Sequence, residues 1–397
     1  MKDLKIYAKT IEQEAINQID LLLNQDAFKN CKVRIMPDCH AGSGCVIGFT
    51  ADLGDKVIPN IVGVDIGCGM LTVDLGKADI NLEMLDNIIR KYVPSGMNVH
   101  EGRIVKYDKL QELKCYRNLK DTRRLERSIG TLGGGNHFIE VDTDADNNKY
   151  LVIHTGSRNL GKQVANYYQN LAYELMQGKD KLLKEQNKLI KEYKEQGKRS
   201  EIQNAIKELH QKYQSKDISI PKDLTYLSGE YREWYLHDMK ICQEYADINR
   251  WTIAKLILDN AKINNYGDFT TVHNYIDHEN NIVRKGAISA KQNEKLLIPI
   301  NMRDGCIIGV GKGNDDWNCS APHGAGRLMS RTKARENLSM EEYHNSMNGI
   351  FTTSVCIDTI DEAPMAYKSM GEIIECIQDT VDIINIIKPI YNFKASK

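Results

Sequence analysis

The chain has 397 residues, 41% of them hydrophobic and 27% charged, a composition typical of a globular protein with a substantial core. Its 53 Lys and Arg residues nearly balance its 54 Asp and Glu residues, so the net charge argues neither for nor against a nucleic-acid partner, and any phosphate-binding face has to be local. Ten cysteines without a C-x-x-C pair argue against a zinc finger. Since neither a signal peptide nor a membrane-spanning segment is apparent in the sequence, we expect a cytoplasmic protein with reduced thiols.

The first part of the chain is predicted to combine helices with short strands. Hydrophobic residues at helical spacing predict an amphipathic helix within residues 1–30, and a second helix is predicted over residues 80–92. Residues 128–155 show the pattern of strand and glycine turn. Short apolar runs next to glycine predict three earlier strands, at residues 33–36, 45–49 and 60–64.

The middle of the chain has a different pattern. Residues 162–262 are charged, poor in glycine and helical in period; within them we predict an exposed helical pair over 181–209 and a helix packed on the core over 235–258. Residues 265–335 return to strand and turn, and a last helix is predicted over 370–387. The whole pattern predicts one α+β domain, with short strands and glycine turns around a central metal site and a helical insertion at about 162–262.

Five separate segments place a reactive side chain beside glycine or a small polar residue. Glycine lets the backbone turn sharply and lets a ligand approach closely, so we expect these segments to converge on one site. Thiolate, imidazole and carboxylate together suit Zn²⁺, Mn²⁺, Fe²⁺ or Co²⁺, and the sequence does not choose among them. The reactive residues are Asp65, Cys68, His137, His154, His273 and His323.

His323 has two possible roles at this stage. It stands in a glycine turn that is followed by Arg327, so it can act as a nucleophile toward phosphorus while the arginine holds phosphate oxygens. Its alternative role is that of a further metal ligand. Arg158 and Lys285 are additional phosphate-binding candidates, although each is equally consistent with a plain surface charge. The glycines at 133–135 can offer backbone N–H groups to a phosphate, but no Walker lysine follows them.

Taken together, eight segments of the chain resemble the motifs of the RtcB family of RNA ligases. They occur in the family's order from residue 36 to the C-terminal region, which makes the resemblance specific although each motif alone is weak. The segments are residues 36–40, 63–70, 130–140, 154–158, 272–274, 284–287, 323–331 and 361–368.

The resemblance implies a GTP- and Mn²⁺-dependent ligase for tRNA splicing or RNA repair. Such an enzyme joins an RNA that ends in a 3′-phosphate or 2′,3′-cyclic phosphate to an RNA with a 5′-hydroxyl. By this resemblance His323 forms a covalent GMP-histidine, GMP passes to the RNA 3′-phosphate, and attack by the 5′-hydroxyl releases GMP. Members of the family often work with an archease-type activator.

The resemblance also implies roles for individual residues. Two Mn²⁺ ions would be bridged by Cys68, one also held by His154 and His273, the other by Asp65 and His137. Implied nucleotide-binding residues are Asn136, Phe138, Glu140, His273, Asn274, Asn301, Cys306, His323, Gly324, Ala325, Gly326, Tyr367 and Lys394, and implied RNA- or phosphate-binding residues are Arg158, Lys285 and Arg327.

One segment departs from the family pattern and keeps an alternative function open. Two serines that are usual after Ile298-Pro299 are replaced by Asn301 and Cys306, and Arg303-Asp304 adds two charges. This departure favours a metal-dependent phosphatase or phosphodiesterase that acts on RNA ends without a nucleotide. A non-catalytic RNA-binding protein is a third class, against which the complete set of candidate metal ligands argues.

Overall fold

The computed structural model describes residues 3–213 and 217–395, and within these ranges the chain forms seventeen strands and ten α-helices. The strands are β1 (Asp3–Ile6), β2 (Lys32–His40), β3 (Ile47–Asp52), β4 (Lys56–Val57), β5 (Gly69–Gly76), β6 (Phe138–Thr143), β7 (Lys149–Thr155), β8 (Leu227–Ser228), β9 (Gly267–Val272), β10 (Asn274–Asp277), β11 (Ile282–Lys285), β12 (Ala287–Ser289), β13 (Lys295–Asn301), β14 (Gly305–Gly311), β15 (Ser320–Pro322), β16 (Phe351–Thr352) and β17 (Val381–Lys394). The helices are α1 (Gln13–Leu23), α2 (Leu82–Tyr92), α3 (Thr122–Arg127), α4 (Arg158–Met176), α5 (Lys179–Glu195), α6 (Ile202–Lys212), α7 (Gly229–Ala261), α8 (Arg331–Asn337), α9 (Met340–Ser346) and α10 (Met370–Ile377).

The largest sheet has the strand order β13-β14-β17-β6-β7-β5-β9, with β16 attached to β17. Its strands pair in antiparallel fashion except for β16 and β17. Alternate residues of β5, such as Leu71 and Val73, face a core that α2 and α7 complete. Because side chains alternate along a strand, Met70, which precedes Leu71, faces the opposite side of the sheet, toward Phe138 and Leu297.

A second sheet, in the order β1-β2-β3-β11-β10, encloses a separate core with α1, α4 and the first half of α7. The 33-residue α7 connects the two cores, since Tyr235 and Tyr245 pack in this one whereas Ile253 and Ile257 pack under the large sheet. Full burial of each such aliphatic side chain contributes about 2 kcal/mol. The prediction that residues 235–258 pack on the core is therefore confirmed.

The structure confirms the α+β class, and several predicted elements lie where the sequence placed them. The predicted helix over 80–92 corresponds to α2, and the exposed helical pair predicted over 181–209 corresponds to α5 and α6. Leu182 is the one buried side chain of this pair among the described residues. No helix within the described ranges is both long and apolar enough to span a bilayer.

Two predicted elements are wrong. Residues 60–64 do not form a strand; they belong to a 3₁₀ turn at Pro59–Ile61 and the bend after it. Proline has a fixed φ and no N–H, which favours the first turn of a helix over a strand ladder. The helix predicted over 370–387 ends at Ile377, and β17 begins at Val381. The second half of that segment is rich in β-branched residues and pairs with β14, and the rest of β17 pairs with β6.

Candidate functional site

Five candidate ligands lie at neighbouring ends of the large sheet. Asp65 and Cys68 lie in the turn that leads into β5, His137 immediately precedes β6, His154 lies near the end of β7, and His273 separates β9 from β10. Pairing of β5 with both β7 and β9, and of β6 with β7, brings these positions together. The convergence of distant glycine-containing segments is therefore a consequence of strand register.

The donor atoms form two groups that share the Cys68 thiol. Sγ of Cys68 lies 3.3 Å from Nε2 of His154, which lies 3.0 Å from Nε2 of His273. The same Sγ lies 3.5 Å from Nε2 of His137, which lies 2.8 Å from a carboxylate oxygen of Asp65. Within each group the ligand atoms are all within 4.8 Å of one another, so each group can hold one metal ion with the sulfur shared.

Hydrogen bonds orient two of the imidazoles for metal binding. Nδ1 of His137 donates to the carbonyl of Leu132 at 2.9 Å, and Nδ1 of His154 donates to the carbonyl of Asn136 at 3.1 Å. With each Nδ1 held by a carbonyl, Nε2 is the nitrogen available to a metal ion, as in metal-bound histidines whose other nitrogen is held in this way. A buried oxygen of Asp65 lacks a hydrogen-bond partner in the described part of the chain, which also fits a missing cation.

The electrostatics of the group favour metal-binding forms of the histidines. Burial and the neighbouring imidazoles lower the pKa of His154 and of His273 well below the usual range, so both are neutral. Burial opposes ionisation of Asp65, yet His137 outweighs it and lowers the pKa of this carboxyl. Burial, with Asp65, raises the pKa of the Cys68 thiol well above its usual value; a bound cation is what would hold it as a thiolate.

A buried carboxylate orients His323. Asp38, whose side chain is fully buried, accepts hydrogen bonds from the backbone N–H of His323 at 3.0 Å and from its Nδ1–H at 2.5 Å. Because an ionised carboxylate only accepts, Nδ1 carries the proton and Nε2 keeps a lone pair. The imidazole is partly exposed and its centroid lies 4.8 Å from that of His273. A histidine oriented in this way is suited to act as a nucleophile through Nε2, beside the candidate metal ligands.

The sequence analysis assigned no role to Asp38. It is 285 residues away from His323 along the chain, and β15, which precedes His323, packs near β2, which contains Asp38. A polar residue inside an otherwise buried strand was the one available signal, because a buried carboxylate requires a partner.

A cavity of about 880 Å³ opens beside these groups. His154, His273 and His323 lie on its wall, together with the glycine loop that follows His323. The volume is within the range of small-molecule and cofactor sites. Predicted nucleotide-binding residues that line the cavity are Asn136, Phe138, Glu140, His273, Asn301, His323, Gly324, Ala325, Gly326, Tyr367 and Lys394, and Arg327 lines it as well.

Glu362, which the sequence analysis did not single out, organises one wall of the cavity. Its carboxylate accepts from Nζ of Lys394 at 2.8 Å and from the hydroxyl of Tyr367 at 2.8 Å, and it pairs with Arg327 at 3.4 Å and Arg331 at 2.5 Å. Burial opposes ionisation, but Lys394 and the arginines lower the pKa of Glu362 to about 2. Glu362 is therefore ionised at neutral pH and fixes the cationic and aromatic groups around it.

Two predicted nucleotide-binding residues, Asn274 and Cys306, are not among the residues that line the cavity in the described structure. Asn274 accepts from the backbone N–H of Gly286 at 3.0 Å, and the fully buried thiol of Cys306 lies 3.8 Å from an oxygen of Glu140. Asn301 lines the cavity, but its side-chain amide donates to Asp304 at 2.7 Å. Direct nucleotide contacts by Asn274 and Cys306 stay predictions.

Arg158 and Lys285 do not line the cavity in the described structure. Arg158 donates to the hydroxyl of Thr131 at 3.1 Å and to the carbonyl of Gly96 at 3.0 Å. Lys285 is buried, which lowers its pKa, and its ammonium group donates to two backbone carbonyls at 3.0 and 3.3 Å. Both side chains connect loops around the site, and their contacts with phosphate stay predictions.

The site combines two ligand groups that share one thiol, a histidine that a carboxylate orients, and a cavity lined by basic side chains. A site of this class is suited to metal-assisted transfer of a phosphorus-containing group. A family model described as tRNA-splicing ligase RtcB matches residues 24–116 and 108–395. The chain therefore belongs to the RtcB family.

Curated relatives agree with this assignment along most of the chain. The RNA-splicing ligase RtcB of Escherichia coli K12 is 29% identical over 402 residues, covering 91% of this chain and 90% of the relative. The tRNA-splicing ligase RtcB of Nanoarchaeum equitans is 27% identical over 434 residues, covering 86% of this chain and 83% of the relative. The similarity thus includes the segments that bear the candidate ligands and His323.

Proposed function

We propose that this protein is an RNA ligase that uses GTP to join an RNA 3′-phosphate or 2′,3′-cyclic phosphate end to a 5′-hydroxyl end, in tRNA splicing or RNA repair. The observation that carries the proposal is the Asp38–His323 pair at a cavity whose wall also holds His154 and His273. Membership of the RtcB family supports the same reaction class.

In the proposed first step, Nε2 of His323 attacks the α-phosphorus of GTP. A nitrogen–phosphorus bond forms, the bond to the β-phosphate oxygen breaks, and pyrophosphate leaves. Positive charge that develops on the imidazole is stabilised by Asp38, which holds the Nδ1 proton throughout. Arg327, on the cavity wall, is placed in the proposal against the phosphate oxygens.

The later steps transfer and then release GMP. The RNA 3′-phosphate takes GMP from His323, and the 5′-hydroxyl of the second RNA then attacks the activated phosphate and displaces GMP. An RNA with a cyclic phosphate is first hydrolysed to the 3′-phosphate. Because the imidazole is partly exposed whereas Asp38 is buried, the RNA end can reach the nucleotide while water is kept from the carboxylate.

The proposal includes two Mn²⁺ ions at the groups that share Cys68. One would be held with His154 and His273 and the other with Asp65 and His137, which is the grouping that the donor distances favour. When bound, such cations neutralise phosphate charge and lower the pKa of a hydroxyl.

The base of GTP is proposed to lie between Phe138, Glu140, Tyr367 and Lys394. All four line the cavity, and the carboxylate of Glu140 can accept from the N–H edge of guanine. Phe138 offers an aromatic surface, with Nζ of Lys394 at 5.6 Å from its centroid. A purine stacked on an aromatic face beside a cation is a favourable arrangement.

Joining of defined RNAs tests this function. A 3′-phosphate RNA and a labelled 5′-hydroxyl RNA are incubated with the protein, Mn²⁺ and either GTP, ATP or no nucleotide. We expect joining with GTP and none by His323→Ala. The second candidate, a nucleotide-independent phosphatase or phosphodiesterase, is favoured by the occupied hydrogen bonds of Asn301. It would release phosphate or open the cyclic end without GTP.

We further propose one catalytic domain with a helical insertion at about 162–262. The large sheet takes strands from both sides of that segment, from β5 to β17, which supports this division. The cytoplasmic location is supported by the free state of all ten cysteines. Assistance by an archease-type activator rests on the family resemblance alone.

A further inference from the structure

Three ionisable side chains form a third group at the cavity, and this group shares no residue with the two Cys68 groups. Glu140 and Asp142 lie on the same face of β6, and Cys306 lies on β14. Between these two strands runs β17, whose Asn392 pairs with Glu140 in register and donates its side-chain amide to that carboxylate at 2.7 Å. One ligand atom each from Glu140, Asp142 and Cys306 lies within 4.8 Å of the other two.

The buried carboxylate of Asp142 is poorly compensated by its surroundings. Its side chain is fully buried, and no N–H or O–H group among the residues that the structure describes donates to either carboxylate oxygen, which leaves the weakly donating Cys306 thiol as its neighbour. The side-chain oxygen of Asn392, whose amide binds Glu140, also lacks a donor there. Buried polar groups are nearly always paired, and these unpaired atoms are all acceptors. The cluster therefore requires a proton or a cation.

The surrounding protein supplies little positive charge. The positive charge of Lys394 favours the ionised form of Glu140, but this ammonium group is already paired with Glu362 at 2.8 Å. Burial raises the pKa of Glu140 to about 7, and burial with the neighbouring acids raises the pKa of Asp142 and of Cys306 well above their usual values. The three groups can be ionised together only if a further positive charge lies among them.

We propose that Glu140, Asp142 and Cys306 bind a divalent transition-metal cation, with Zn²⁺ as the best fit to one thiolate and two carboxylates. The separation of 3.8 Å between Sγ of Cys306 and the nearer Glu140 oxygen suits two ligands of one ion. Binding of the ion replaces the proton of the Cys306 thiol and those carried by the Asp142 and Glu140 carboxyl groups, and these protons leave to solvent. Glu140 lines the cavity, so the ion can enter from there.

Such an ion also has a consequence for the cavity. It would hold Glu140 as a carboxylate at the cavity wall, where that group can accept a hydrogen bond from a bound base. This consequence rests on the proposed function, whereas the binding of the ion does not.

Metal counting on the full-length protein tests the site. Metal-free protein is dialysed against Zn²⁺, and bound ions are counted in the wild type, Asp142→Asn and Cys306→Ser. Cys376→Ser, which alters a partly exposed thiol on α10, is the matched control. We expect each cluster variant to bind one ion fewer than the wild type and the control to bind the same number.

Asp142→Asn separates a cation from a proton, because asparagine keeps the shape of a protonated aspartate but removes the anionic ligand. An unchanged ion count and unchanged thermal unfolding in this variant would show that the cluster holds protons, and would overturn the proposal. If the cluster variants bind one ion fewer as expected but the wild type does not join RNA with GTP, only the proposed function is contradicted.

Cobalt spectroscopy gives a second measurement that does not depend on the folding of Asp142→Asn. With Cys68→Ser as background, Co²⁺ binding should still produce a thiolate-to-cobalt charge-transfer band. The band should disappear in Cys68→Ser/Cys306→Ser and persist in Cys68→Ser/Cys376→Ser. Absence of the band in Cys68→Ser itself would contradict a thiolate-bound ion at Cys306.

Discussion

Replacement of Asp38 by asparagine tests how the candidate nucleophile is prepared. Both hydrogen bonds that the carboxylate accepts within the described structure come from His323. A hydrogen bond to a charged group contributes about 1.5–3 kcal/mol and a neutral one about 1 kcal/mol. The charge of Asp38 is therefore worth about 0.5–2 kcal/mol to a cationic imidazole, which corresponds to roughly a 2- to 30-fold change in rate. A change of tautomer would increase the loss to as much as about 10⁴-fold.

The assay is single-turnover transfer of label from α-labelled GTP to the protein in the presence of Mn²⁺. We expect Asp38→Asn to be labelled more slowly than the wild type by roughly 2- to 30-fold, or by more if the tautomer changes, with unchanged metal content because Asp38 contacts none of the candidate ligands that share Cys68. Asp86→Asn, which alters a buried carboxylate on α2 bound to Arg90 and Tyr391, controls for loss of buried charge. Wild-type labelling by a folded Asp38→Asn protein would refute the reasoning.

Three further predictions concern the metal ligands, the cavity wall and the glycine loop. Cys68→Ala should lose metal from both groups because its sulfur is common to them; retention of the full metal content, measured by elemental analysis, would contradict a shared ligand. Glu362→Gln should lower the free energy of unfolding by about 3 kcal/mol at neutral pH, since it leaves the buried Lys394 without its ion-pair partner. Because the pKa of Glu362 is lowered from 4.5 to about 2, its stabilisation is present above pH 4.5 and is lost as the pH falls toward 2, so denaturant titrations should show the two proteins converging over that interval. Gly326→Ala should impair labelling, because Gly326 has φ +74° and a Cβ there would lie 2.4 Å from the backbone oxygen of Asp38; unaltered labelling would show that the loop tolerates the shift.

The elements that the sequence predicted well are those whose signal is local. Helix α2 has an Asn81 cap and a regular apolar face, and α7 repeats buried residues over many turns. The segment that becomes β17 has a pattern that suits either a helix or a strand, and its pairing with β14 and β6 decides between them. Such pairing is a property of the whole fold and is not contained in the segment itself.

The candidate site was likewise predictable from the sequence only in part. Glycine turns beside Cys68, His137 and His323 are visible in the sequence and indicate reactive positions. The partners that orient those residues are not visible, because Asp38 and Glu362 come from distant parts of the chain and become recognisable only when burial and hydrogen bonding are known. Long-range pairs of this kind depend on tertiary structure, so a single sequence cannot specify them.

The most direct test of the central claim is covalent labelling at His323. The protein is incubated with α-labelled GTP and Mn²⁺ and separated by denaturing electrophoresis, with His323→Ala beside it. We expect a labelled band that is labile to acid, is absent from His323→Ala and persists in His344→Ala, which alters a histidine in the last turn of α9. Equal labelling of His323→Ala, or RNA-end hydrolysis without any labelled protein or nucleotide requirement, would contradict it.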